Sequence, residues 1–198
     1  MRFRLTIPET YLQLYGAWRT FWLDKRGIML FGNTPEALLQ SFWCGVVLLP
    51  AYVLLLALQP GYSALMDHNS TGRLVSVETI TYVMGWVAWP VVAQPITAFL
   101  ERRDQYFNYI CAYNWVSAPM LALFLLLSVI ETLLPLPEIV TIGLTIGAIF
   151  WRLFLHSFVI RNTLQITGMA SIPLIIFDFI LGQMILVWRH GLLLTPAM

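Results

Sequence analysis

The sequence predicts an all-α polytopic membrane protein, a bundle of five transmembrane helices preceded by an N-terminal amphipathic helix at the membrane interface. Composition is the first reason, because 59% of the 198 residues are hydrophobic and only 11% are charged. A soluble domain carries about 25% charged residues. The second reason is a series of long apolar runs. These runs are continuous rather than alternating, which favours helices over a β-barrel.

Five apolar segments are each long enough to cross a bilayer, which requires about 20 residues of helix. The predicted spans are residues 38–58, 75–99, 109–134, 138–160 and 168–188. Pro90 and Pro95 interrupt the second of them. Together the spans define a transmembrane domain over residues 35–190, and residues 191–198 are expected to form a short C-terminal tail.

Residues 1–34 form a separate segment in which aromatic residues recur at helical spacing. The apolar positions are Tyr11, Leu14, Tyr15, Trp18, Phe21 and Trp22. Pro8 and Glu9 suit the first turn of a helix. We therefore expect an amphipathic helix that lies flat on the cytoplasmic leaflet. The alternative is a helix whose aromatic face packs under the bundle, because both arrangements give the same sequence pattern.

The distribution of basic residues predicts how the bundle is oriented, because Lys and Arg are concentrated in short cytoplasmic loops. One set of connections carries Arg2, Arg4, Arg19, Lys25, Arg26, Arg102, Arg103 and Arg161, whereas the opposite set carries Arg73 and Arg189. The N-terminus is therefore expected in the cytoplasm and the C-terminus outside. This orientation agrees with an odd number of spans.

The last two spans carry charged side chains deep in the predicted bilayer. Such a charge costs about 2.5–3.5 kcal/mol on the insertion scale, so it should face the bundle or find a partner. Arg152 lies about 12 Å from the inner end of the fourth span, and Asp178 about 15 Å into the fifth. Because sequential antiparallel spans are neighbours, we predict an ion pair between these residues. His156 and Asn114 complete the predicted polar cluster at a comparable depth.

Three interpretations of this cluster are open at the level of sequence. A structural cluster would neutralise two costly charges and fix which helices are neighbours. A functional cluster would line a polar cavity and relay protons or bind a small ion or headgroup. In the third interpretation the fourth span ends near Trp151, which places Arg152 at the cytoplasmic surface and makes the residues after it an interfacial helix.

Other polar and small residues are interpreted as ordinary features of a bundle. Glu78, Glu131 and Glu138 lie near the outer ends of spans and are expected to be solvated. Gly143 and Gly147 permit close helix approach, which we expect to occur within the same chain. The two cysteines fit buried packing, and no metal site or cofactor is predicted because no spaced set of His and Cys residues is present.

The segment WRLFLHSFVIRNTLQITGMASIPLIIFDFILG, residues 151–182, resembles the last two spans of bacterial proteins in the broad Yip1-like group. In those proteins a tryptophan precedes an arginine-bearing stretch, followed by a short turn and an apolar span that opens with small residues. The resemblance implies a small five-span integral membrane protein. Its eukaryotic relatives resemble trafficking factors that bind small GTPases through a cytoplasmic N-terminal part. No functional residue is carried over from the group.

The function expected from the sequence is that of a non-enzymatic integral membrane protein that organises or assists other membrane components. The alternative is a small transporter or channel-like subunit that uses the Arg152, His156 and Asp178 cluster. No catalytic motif is recognisable, so an enzyme is not expected. The lipid bilayer and other membrane proteins are the expected partners, and nucleic acid is not. The resemblance and the lack of an organelle signal favour the bacterial inner membrane.

Overall fold

The computed structural model describes residues 5–134 and 136–194, and every regular element within them is helical. Several helices begin with a side-chain cap, such as Thr6, Thr34 and Ser70, which satisfies a free backbone N–H of the first turn. The helices are α1 Ile7–Phe21, α2 Lys25–Ile28, α3 Pro35–Ser41, α4 Trp43–Leu58, α5 Tyr62–His68, α6 Thr71–Phe99, α7 Tyr106–Leu133, α8 Glu138–Leu164 and α9 Gly168–Leu194.

As predicted, the described part of the chain contains five helices that are long and apolar enough to span a membrane. They are α6, α7, α8, α9 and the pair α3–α4, which together cover Pro35–Leu58 and are separated only at Phe42. The prolines inside α6 are accommodated without breaking it. Helix α9 continues to Leu194, so residues 191–194 belong to the last span rather than to the predicted tail. Residues 195–198 of that tail lie outside the described part of the chain.

Helix α8 is continuous from Glu138 to Leu164 and ends at Gln165, whose φ of 54° reverses the chain. The interpretation in which the fourth span stops near Trp151 is therefore wrong. Apolar side chains such as Leu155, Val159 and Ile160 continue the buried face beyond that position. Arg152 consequently lies within the span and not at its end.

The loops lie at two opposite ends of the bundle. At the end that carries α2 and the turn between α8 and α9, called the amino-terminal side, the amide nitrogen of Asn33 donates to the Asp104 carbonyl at 2.9 Å. The amide nitrogen of Asn108 donates to the Phe31 carbonyl at 2.8 Å. At the end that carries α5 and the last turn of α9, called the carboxy-terminal side, the amide nitrogen of Asn69 donates to the Leu193 carbonyl at 3.0 Å. These bonds hold the loops that surround each end of the spans.

Helix α7 is central to the bundle, because α1, α3, α4 and α8 all pack on it. Its first half supplies much of the core, including the fully buried Tyr109, Ile110 and Trp115. The two cysteines, Cys44 and Cys111, are buried and free, as expected for packing residues.

The buried face of α1 consists mainly of small residues and not of its aromatic stripe. The buried positions of α1 are Gly16, Ala17, Thr20 and Phe21, and the Phe21 ring contacts Trp151 with centroids 5.7 Å apart. The side chains of Tyr11, Tyr15, Trp18 and Trp22 are exposed. Of the stripe, only Phe21 and the partly buried Leu14 pack against the core, and the exposed aromatic side chains face away from the protein.

The expectation that Gly143 and Gly147 pack within the same chain is wrong. A Cβ atom placed on either glycine would meet no other atom within 4 Å. Both glycines therefore lie on a face of α8 that no other described helix covers. The close helix approach is instead found between α1 and α2, where Gly27 faces Gly16 and Thr20.

Substitution of Gly27 by alanine is expected to destabilise the N-terminal segment. A Cβ atom at this position would lie 2.5 Å from the Gly16 carbonyl oxygen and 2.7 Å from the Thr20 backbone nitrogen, and backbone atoms cannot move aside easily. Overpacking of this kind costs about 1–3 kcal/mol. Unfolding in mixed micelles should show the loss, whereas Gly85→Ala, where a Cβ atom meets open space, should show none. Equal behaviour of the two variants would contradict this packing.

Candidate functional site within the membrane

Three ionisable side chains of α8 and α9 meet inside the bundle. The Arg152 Nη2 atom lies 3.3 Å from Asp178 Oδ2, and His156 Nδ1 lies 3.3 Å from the same oxygen. Arg152 and His156 are one helical turn apart on α8, so both side chains project toward the same face of α9. The structure thus brings together three of the four residues that the sequence placed in a polar cluster.

Two tyrosines of α7 extend this cluster. Tyr113 donates its hydroxyl hydrogen to Asp178 Oδ1 at 2.9 Å, so both carboxylate oxygens have partners. The Tyr109 hydroxyl lies 2.9 Å from His156 Nε2. Because Tyr109 and Tyr113 are four residues apart, they share one face of α7. The cluster therefore joins three spans, α7, α8 and α9.

The hydrogen bonds have one arrangement that satisfies each of these groups. Trp89 Nε1 lies 2.8 Å from the Tyr109 hydroxyl and can only donate to it. The Tyr109 proton is then available for His156 Nε2, which leaves the imidazole proton on Nδ1, facing Asp178. With a proton on Nδ1, His156 completes a chain of hydrogen bonds from Trp89 through Tyr109 to Asp178.

Burial differs sharply across the cluster. Asp178 is 5% exposed and His156 7%, whereas the Arg152 side chain is 37% exposed. A guanidinium group has five N–H donors, and the bond with Asp178 occupies only one of its nitrogens. The carboxylate and the imidazole are thus enclosed, and the guanidinium forms the accessible edge of the cluster.

A cavity of about 210 Å³ opens at this edge, between α7, α8 and α9. Tyr113, Arg152, His156 and Asp178 supply its polar wall. The remaining wall is mostly apolar and includes Val116, Met120, Leu121 and Phe124 of α7, and Leu155 and Val159 of α8. An apolar cavity with a few convergent polar groups is the usual form of a small-molecule site.

Asn114 does not join the cluster, contrary to the sequence prediction. Its amide nitrogen donates to Ser41 Oγ at 2.8 Å, and Ser41 in turn donates to the Leu38 carbonyl at 2.7 Å. The residue is fully buried between α7 and α3. It lies beside Tyr113 in sequence but about 100° further round the helix, so it faces a different neighbour.

A second buried ion pair, which the sequence analysis missed, joins α6 to α9. Glu78 and Arg189 are 7% and 3% exposed, and Arg189 Nε lies 3.0 Å from both carboxylate oxygens. Tyr52 of α4 also donates to Glu78 Oε2 at 3.4 Å. The expectation that Glu78 is solvated is therefore wrong, although Glu138 is exposed as expected.

This second pair lies near the carboxy-terminal side of the bundle, beside the short helix α5. Burial and the neighbouring Glu78 carboxylate raise the pKa of Tyr62 in α5. Tyr62 packs against a small separate core, which is formed by Leu74, Val77 and Leu193. Both charges of the pair are thus buried and neutralised within the chain, as in a structural contact, although Glu78 also lines an apolar cavity between α4 and α6.

No protein-family model, curated protein or solved structure matches this chain. The resemblance of residues 151–182 to Yip1-like proteins therefore stays a prediction from those residues. The site is interpreted from its own geometry, in which an enclosed carboxylate–imidazole pair supports a half-exposed guanidinium at the wall of a small cavity.

Proposed function

We propose that the protein is a small transport or channel-like subunit that binds a polar or anionic molecule at Arg152. The observation that carries this proposal is the cavity of about 210 Å³ against a half-exposed intramembrane guanidinium. Intramembrane ionisable groups facing a cavity mark substrate or ion pathways in many membrane proteins. The second of the two functions expected from the sequence is thus the one that this geometry supports.

The chemistry of the cluster favours an acceptor or anion over a cation. Asp178 already receives Tyr113 at one oxygen, with His156 and Arg152 at the other, so its charge is balanced within the protein. Arg152 retains N–H donors on the side of the cavity. A carboxylate or phosphate group can accept two of these donors at once. The apolar wall formed by Met120, Leu121 and Phe124 suits a short hydrocarbon part.

The proposal includes the orientation expected from the basic residues, with the N-terminus in the cytoplasm of a bacterial cell and the C-terminus outside. Lys25, Arg26, Arg103 and Arg161 all occur at the amino-terminal side of the bundle, which supports this orientation. The exposed aromatic side chains of α1 further support an interfacial role for that helix, since Trp and Tyr favour the headgroup region.

Ligand binding should depend on the charge of residue 152. We expect octanoate, a carboxylate with one apolar chain, to raise the unfolding temperature of the purified wild-type protein. Arg152→Gln should abolish this rise because the substitution removes the charge, and Arg152→Lys should retain part of it. Arg103→Gln, which removes an exposed charge outside the cavity, serves as the matched control.

Octyltrimethylammonium, a cation with a chain of the same length, should not stabilise the wild-type protein. Retention of the octanoate effect in Arg152→Gln, or an equal effect of the cation, would contradict the proposal. Mass spectrometry of the wild-type protein purified in mild detergent provides a second readout. It should detect an acidic molecule that the Arg152→Gln variant lacks.

A role in organising other membrane components is the second candidate function. It is supported by the neutralisation of four buried or half-buried charges within the chain, in the pairs Arg152–Asp178 and Arg189–Glu78. Clusters with only a structural role would have this property. Wild-type stability without a response to octanoate, together with recovery of stability when both charges of a pair are removed, would favour this candidate.

A further inference from the structure

A basic pocket lies at the amino-terminal side of the bundle, apart from the Arg152 cavity. It has a volume of about 340 Å³ and is lined by Lys25 of α2, by Phe158, Arg161 and Asn162 of α8, and by Ile166 of the following turn. The pocket combines two cations from segments far apart in sequence with an amide and two apolar side chains. The fold, and not a local charge run, produces it.

Both cations of the pocket are available to a ligand. Lys25 and Arg161 are exposed, and no carboxylate in the described residues forms an ion pair with either. The neighbouring basic residues differ in this respect, because Arg19 and Arg26 both bind Asp24. The Arg161 guanidinium lies beside Gly168, where a Cβ atom would make an ordinary contact with Nε at about 3.7 Å. The pocket thus holds two uncompensated positive charges.

The surroundings of the pocket are those of a lipid-facing surface. Phe154, one turn from Phe158 on α8, is 55% exposed, and Met169 at the start of α9 is 79% exposed. Exposed apolar side chains on spanning helices are positions for acyl chains. A molecule with a negative head in the pocket could therefore extend an apolar chain along Phe154 or Met169.

We infer that this pocket binds the phosphate-bearing headgroup of an anionic membrane lipid. The phosphate contacts Lys25 and Arg161, and the acyl chains lie against the exposed apolar side chains of α8 and α9. Arginine binds phosphate through two parallel N–H donors, and lysine adds a second point charge. The pocket lies at one end of a spanning helix, on the side expected to be cytoplasmic, where basic clusters are suited to such headgroups. The inference is independent of the ligand proposed for Arg152.

The test measures lipid binding to the full-length protein in detergent by native mass spectrometry. Phosphatidylglycerol is the anionic probe and phosphatidylcholine, with the same acyl chains, is the zwitterionic one. We expect phosphatidylglycerol to bind more tightly to the wild-type protein. The double variant Lys25→Gln, Arg161→Gln should lose about 30-fold in affinity, as expected for two interfacial cations. The control Arg26→Gln, Arg103→Gln removes the same charge from the same side and should change affinity less than twofold.

Each other outcome overturns the inference. Equal losses in both double variants would show a general effect of surface charge, and no loss in either would show that the pocket is not used. Full displacement of phosphatidylglycerol by millimolar inorganic phosphate would show a site for free phosphate. Photolabelling of the wild-type protein tests the site even if the double variant does not fold. Phosphatidylglycerol with a photoreactive acyl chain should label the peptide that contains Phe154 and Met169, and labelling elsewhere alone would contradict the site.

Discussion

Replacement of Glu78 by leucine is expected to destabilise the protein by about 3–5 kcal/mol. The substitution leaves the Arg189 guanidinium 3% exposed with its carboxylate partner removed. Tyr52 also loses the oxygen to which it donates. Arg189→Met should have a similar effect, because it leaves the Glu78 carboxylate buried without its cationic partner.

The double variant Glu78→Leu, Arg189→Met should recover most of this loss. Two apolar side chains of similar volume need no partner, and the replacement of a whole buried pair is often neutral. Unfolding by SDS titration in mixed micelles would provide the free energies. Glu138→Leu, at an exposed carboxylate on the same side of the bundle, is the control and should change stability little. A double variant as unstable as the sum of the two single variants would contradict the structural role of this pair.

The number and order of the spans could be predicted from the sequence because hydrophobicity and length determine them directly. The Arg152–Asp178 contact was also predictable, since two charges at the same depth on sequential antiparallel helices have few other partners. Glu78 and Arg189 satisfy the same rule of equal depth. Their contact was missed because the last span was predicted to end at residue 188, which placed Arg189 outside the bilayer.

Helical phase explains the position of Asn114 and the packed face of α1. Depth alone placed Asn114 with the cluster, but Tyr109 and Tyr113 occupy the face of α7 that meets α8 and α9. Asn114 lies about 100° away, where α3 passes. For α1, the sequence left open whether the aromatic stripe contacts the leaflet or the bundle, and the buried positions are instead Gly16, Ala17, Thr20 and Phe21. The position of Asn114 and the packed face of α1 both depend on which helices are neighbours. The residue pattern within one helix does not contain that information.

The two partners of the intramembrane cluster should respond unequally to substitution. Asp178→Leu is expected to cost about 3–5 kcal/mol, because Tyr113, His156 and Arg152 all lose their shared acceptor inside the bundle. Arg152→Leu should cost less, about 1.5–3 kcal/mol, the value of a hydrogen bond to a charged group. Asp178 keeps two donors in that variant, Tyr113 and His156.

The free energy of unfolding of each variant, measured by SDS titration in mixed micelles, provides the comparison. Glu138→Leu, at an exposed carboxylate outside the cluster, serves as the control and should change stability little. Equal losses in Asp178→Leu and Arg152→Leu would contradict the role of Asp178 as the acceptor that the other three side chains share.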